Sequence, residues 1–118
     1  MMEARELART IARLLVDRHA EDVTVMDLTG HSSLADYFVV ATAGSTVHAQ
    51  GLARATVEQL AERGERCHHQ EGSDAGRWVL LDYITVVVHI FLSDVRQFYG
   101  LERLWGDLPQ ERFPATEA

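Results

Sequence analysis

The run Val86-Val87-Val88-His89-Ile90-Phe91-Leu92 constrains this chain more than any other stretch. It is rich in β-branched and aromatic residues and too short for a buried helix. His89 is its one polar member, so the run reads as a strand covered on both faces and therefore central in its sheet. A second apolar run, Trp78 to Leu81, precedes it across a polar break at Asp82 to Thr85, and the two together read as a hairpin. Ser93 is placed to cap a following helix and Asp94 to supply a first-turn carboxylate, carrying the chain to Tyr99. Gly100 interrupts that helix. Leu101 to Trp105 can add one turn before Gly106 and Pro109 end regular structure.

The remainder supplies what such a strand needs on either side. Leu7, Ile11, Leu14 and Leu15 fall on one stripe of an amphipathic helix. Its polar face mixes Glu with Arg, which assigns the stripe to core packing rather than to a membrane surface. Val23 to Leu28 and Tyr37 to Thr42 read as strands. Ala43-Gly44-Ser45 is a turn, and Ser45 or Thr46 caps a helix running to about Arg63, where Gly64 stops it. Val47, Leu52, Ala53, Val57, Leu60 and Ala61 are its expected core set. Arg66 to Glu71 is polar enough for an edge strand, and Gly72 to Gly76 is a connector. The order predicts an α/β fold, a single-layer mixed sheet of about five strands flanked by helices, as one domain over residues 1–109. Residues 110–118 read as a fraying tail.

Composition bounds the function. A chain of 118 residues buries roughly two-thirds of its unfolded surface as one domain. Eleven arginines, no lysine and eighteen acids give a net charge of −7. That balance argues against direct binding to a phosphate backbone. It suits a basic partner, but on composition alone it is explained more simply by solubility. The single Cys67 cannot form an internal disulfide and points to a reducing cytosol. No apolar run approaches the roughly 20 residues of a membrane span, and the N-terminus lacks the apolar core of a secretory signal. A cytoplasmic protein is expected.

Three kinds of chemistry can be weighed. The element order resembles nucleotidyltransferases, and Gly44-Ser45 matches the first half of their motif. The paired D-x-D carboxylates are lacking: Asp82 stands alone with Ile84 two residues later, and two-metal phosphoryl transfer needs converging acids. Cys67, His69 and Glu71 share one face of an extended strand, but that spacing is too spread for one metal ion. His48 lies at the positive end of a helix, and His89 reads as a buried histidine satisfied by one hydrogen bond, on the face of Val87 and Phe91. Ser45 lies in no G-x-S-x-G elbow. No catalytic residue, cofactor or metal is expected, and a metal-dependent nucleotidyltransferase is the alternative.

The segments WVLLDYITVVVHIF (Trp78–Phe91), RQFYGLERLW (Arg96–Trp105), DYFVVATAGSTVHAQGLA (Asp36–Ala53) and Glu71-Gly72 closely resemble the ribosomal silencing factor family, also called iojap. The likeness runs in order from Asp27 to Pro109. One departure is Ile84-Thr85, where the family has Gly-Asp, so a tight glycine turn is expected to be lost and the connection to be longer or differently bent. The resemblance implies a protein that binds the large ribosomal subunit through its ribosomal protein fourteen. It also implies that small-subunit joining is blocked and translation repressed when nutrients fall. If Val79 and Leu81 face the core, alternation puts Trp78, Leu80 and Asp82 on the other face. Alternation alone leaves Trp78 equally an interface anchor or core; the resemblance favours the interface. Trp78, Leu80, Asp82, Tyr83, Glu71 and Asp36 are therefore the expected partner-binding residues. The same apolar face suits a twofold partner and a homodimer. Arg96, Tyr99, Glu102 and Trp105 read as structural, with Arg96 and Glu102 as a local ion pair.

Overall fold

Leu7, Ile11, Leu14 and Leu15 are all buried on one side of helix α1 (Ala4–Asp17), as their spacing requires. The computed structural model describes residues 2–100 and 107–113. After α1 the order is β1 (Glu21–Asp27), β2 (Tyr37–Ala43), α2 (Thr46–Glu62), β3 (His69–Glu71), β4 (Trp78–Asp82), β5 (Val86–Leu92), α3 (Ser93–Tyr99) and β6 (Gln110–Phe113).

The strands form one mixed sheet in the order β3-β4-β5-β2-β1-β6. β2 and β5 pair parallel, and the other four pairings are antiparallel. β5 lies inside the sheet between β4 and β2, and all of it but Leu92 is buried. The missing alternation has its cause in two cores, one on each face. On one side α1 and α2 cover Val25, Val39, Ala41, Val79, Leu81, Val88 and Ile90. On the other, Met26, Phe38, Val40, Val87 and Phe91 pack with Val95 of α3, while Trp78, Leu80 and Leu108 border them half-buried.

Several expectations are corrected. Of the core set expected on helix α2, Leu52, Ala53 and Leu60 are buried and Val57 packs against the core, with Ala49 and Thr56 buried beside them, whereas Val47 is 75% exposed and Ala61 is exposed. Val47 lies about 200° around the helix from Ala49, so one face cannot hold both. Thr56 tolerates burial because its hydroxyl donates to the Leu52 carbonyl at 2.8 Å. Ser45 does cap α2, accepting the His48 N–H at 3.0 Å. Ser93 instead opens α3 as its first residue, with Leu92 at the cap position and no side-chain cap bond. The tail does not fray from residue 110. Gln110–Phe113 adds a sixth strand along the edge of β1, where Glu111 pairs with Arg9 at 3.3 Å and Phe113 packs on the helix-side core. Arg96 is anchored by the Asp22 carbonyl (2.7 Å) and the Thr42 hydroxyl (2.8 Å), clamping α3 to the bulge in β1. Glu102 and Trp105 lie outside the described residues.

Candidate docking face

The hairpin turn decides which residues share the sheet face opposite the two long helices. It is not lengthened. Tyr83 N–H donates to the Val86 carbonyl at 2.8 Å and Thr85 N–H to the Tyr83 carbonyl at 2.9 Å, so Ile84-Thr85 is a tight two-residue loop. Ile84 takes φ +75°, a conformation a β-branched side chain rarely adopts. The Asp82 carboxylate holds it there by accepting the Ile84 N–H at 2.7 Å. The bend that Gly would make for steric reasons is here made by an Asx turn.

This loop sets Asp82 opposite Val87, Leu80 opposite His89 and Trp78 opposite Phe91. Across the edge, His69 faces Asp82 and Glu71 faces Leu80. Strand β4 alternates as its sequence suggests: Val79 and Leu81 are fully buried under the helices, while Trp78, Leu80 and Asp82 are half-exposed on the other face. Glu71 is exposed on that same face and pairs with His69 at 3.4 Å. Asp36 is half-buried just before β2, and its N–H donates to the Thr85 carbonyl at 2.8 Å, which sets it beside the hairpin turn. Leu34 and Ile84 are exposed at this end of the sheet.

Tyr83 does not join them. It is 7% exposed, packs in the helix-side core, and burial pushes its phenol pKa up. The tight turn directs its side chain away from the half-open face, so five of the six expected residues lie on or beside that face and Tyr83 does not.

Trp78 is held from two sides. Gly72 has φ +80°, and a Cβ there would fall 1.9 Å from the Trp78 carbonyl oxygen, so the Glu71-Gly72 pair marks a close backbone approach that only Gly permits. The indole lies on Phe91 with centroids 4.9 Å apart, and its N–H donates to His89 Nδ1 at 3.1 Å. His89 is thus the buried histidine with one hydrogen bond that its setting suggests. Burial drives its pKa down from 6.5 to about 4. With Nδ1 accepting, the neutral ring carries its proton on Nε2, which has no partner among the described residues.

The residues weighed for catalysis are dispersed. Gly44-Ser45 follows the end of β2 that pairs with Leu92, whereas Asp82 is opposite Val87. Five residues of strand, about 16 Å, separate the two levels. His48 is consumed locally: Nδ1 accepts the Gly44 N–H at 3.0 Å and Nε2 meets the Arg18 carbonyl at 2.9 Å, tying α2 to the end of α1. Cys67 packs toward the helix-side core, its thiol directed at the His69 and Asp82 carbonyls and its pKa raised by burial, away from the His69–Glu71 pair. Among the described residues no helix is long and apolar enough to cross a membrane.

A family model described as "Ribosomal silencing factor during starvation" matches residues 1–118. Ribosomal silencing factor RsfS of Bacillus subtilis is 40% identical over 108 residues, covering 92% of each chain. A mouse protein named "Mitochondrial assembly of ribosomal large subunit protein 1" is 31% identical over 98 residues, which cover 80% of this chain and 43% of the mouse protein. A crystal structure of a Chromobacterium violaceum protein superposes with a TM-score of 0.86 at 34% identity, covering 99% of this chain and 96% of that one.

Proposed function

We propose a function that proceeds from one premise: this chain belongs to the ribosomal silencing factor family. It acts by occupancy rather than by turnover, as a cytoplasmic repressor of translation. It docks on the large ribosomal subunit, through ribosomal protein fourteen of that subunit, and so obstructs joining of the small subunit when nutrients are short.

The observation that supports this most is the half-exposed row Trp78–Leu80–Asp82 on β4, with Glu71 across the edge and Asp36 by the turn. An aromatic and an aliphatic side chain on a rigid strand form an anchor, and the acids around them suit a basic ribosomal protein. The net charge of −7 favours a protein surface over bare RNA as the primary contact. Before docking, the same face suits a second copy of the chain. The separation of Gly44-Ser45 from Asp82 along the sheet speaks against the nucleotidyltransferase alternative, because phosphoryl transfer needs these groups together.

Co-sedimentation with purified large subunits, small subunits and intact ribosomes tests the reading. The chain is expected to travel with large subunits alone, and less so as salt rises. Equal recovery on intact ribosomes refutes the obstruction mechanism; no recovery on large subunits refutes the docking itself.

A further inference from the structure

An imidazole in the middle of an otherwise apolar strand carries a burial cost that Val, Leu or Phe would not. His89 is 5% exposed, and its Nε2–H has no hydrogen-bond partner among the described residues, so one of its two ring nitrogens is buried unsatisfied. What it contributes in return is Nδ1, the acceptor for the Trp78 indole N–H at 3.1 Å. No apolar residue could provide that bond.

The two partners differ in how firmly they are held. The imidazole stands edge-on to Phe38 with centroids 4.7 Å apart and lies parallel to Phe91 at 5.9 Å. The indole begins β4, next to the edge strand, and is half-exposed. Its packing on Phe91 supplies area, but an aromatic contact does not by itself choose which edge of the indole points inward. The N–H bond does choose. It turns the nitrogen edge toward the fixed imidazole, so the half-exposed ring has one orientation on the docking face. Gly72 meanwhile fixes the Trp78 main chain from the other side.

We propose that His89 is a positioning residue for docking: it holds the Trp78 indole in one orientation before the partner arrives. This rests on the docking face described above and names what organises it. A side chain ordered in advance loses less conformational freedom on binding. That advantage explains a polar residue where packing alone favours an apolar one.

The test combines NMR of the full chain with large-subunit binding. In the wild type, imidazole nitrogen shifts are expected to show Nδ1 unprotonated and Nε2 protonated, and the Trp78 indole N–H, assigned with Trp78→Phe, to exchange slowly. His89→Leu is expected to remove that protection and to weaken large-subunit binding about tenfold, the effect of one hydrogen bond. His89→Gln, which can offer an amide oxygen, should recover part of the affinity. In a Trp78→Phe background His89→Leu should make no further difference, because the bond it serves is already gone. The opposite tautomer in the wild type overturns the inference, as two donors cannot share that bond. So does unchanged affinity in His89→Leu, or an equal loss in the Trp78→Phe background. The tautomer and exchange measurements use the wild-type chain and decide the matter even where His89→Leu does not fold. Trp78→Ala separates the two levels: full binding by Trp78→Ala overturns the docking face together with its positioning residue. Lost binding there with an unaffected His89→Leu overturns the positioning alone.

Discussion

Acid should destabilise this protein through His89, and replacing that residue should remove the effect. The folded state holds the imidazole pKa near 4, against 6.5 for an unburied histidine. The cause is desolvation. Among the described residues, Trp78, Leu80, Phe38, Val40 and Phe91 surround the ring, and none of them carries a charge to favour the imidazolium. A depressed histidine pKa means that the unfolded chain binds more protons between the two values, so stability falls as pH falls through that window. Stability from this source is complete above about pH 6.5. It drops by about 2 kcal/mol at pH 5 and about 3 kcal/mol at pH 4, where the loss levels off. Protonation also makes Nδ1 a donor facing the Trp78 N–H, so the bond between them is lost with the charge change. The assay is urea unfolding of wild type and His89→Leu at pH 7, 6, 5 and 4. Both chains share every other titrating group, so the difference between their stabilities isolates His89. The wild type is expected to lose about 3 kcal/mol relative to His89→Leu between pH 7 and 4. Parallel acid limbs would refute the reasoning and place the imidazole in a more polar setting than its neighbours provide.

Trp78→Ala removes a half-buried ring, so it should cost about 1–2 kcal/mol of stability, below the 3–5 of a fully buried aromatic, yet about 2 kcal/mol or more of large-subunit binding. Melting and binding measured on the same protein separate the two. Gly72→Ala should cost about 2–3 kcal/mol, because the new Cβ meets the Trp78 carbonyl in a left-handed backbone. Gly64→Ala, equally left-handed at φ +85° but with open space around it, should cost only about 1 kcal/mol; similar chemical-denaturation midpoints for the two would remove the close approach as the cause. Asp82→Asn keeps an oxygen for the Ile84 N–H and should melt nearly as wild type while docking more weakly, whereas Asp82→Lys should lose both turn and docking. Unchanged docking by both variants, with normal melting, takes Asp82 out of the interface.

Much of the fold is legible because burial on two faces leaves a plain trace in sequence. Val86–Leu92 lacks alternation since helices and α3 cover it from both sides, while β4 alternates since one face is half-open. Ser45, Gly64 and Gly100 mark helix ends for local reasons that need no tertiary information. Other features depend on distant partners. Strand β6 has little apolar content, and what orders it is the free edge of β1 together with Arg9, which the residues after Pro109 do not disclose. Arg96 likewise finds a carbonyl partner at Asp22, across the sheet and 74 residues away in sequence.

The site was less legible than the fold, and Ile84 is the reason. A β-branched residue in place of Gly argues against a tight turn by its own steric preference. Asp82 overrides that preference from two residues away, with a side-chain bond worth enough to hold φ at +75°. Once the loop is confined to Ile84-Thr85, everything else on the face follows by counting along the hairpin. Leu80 falls opposite His89 and Trp78 opposite Phe91, so the indole and the imidazole become diagonal neighbours within reach of each other. The same count sends Tyr83 to the helix side, where its phenol is buried. A longer or displaced loop scrambles these pairings. Asp82 therefore has two distinct consequences for the docking face: it supplies a charge at the rim, and through the turn it sets the register that brings His89 beneath Trp78.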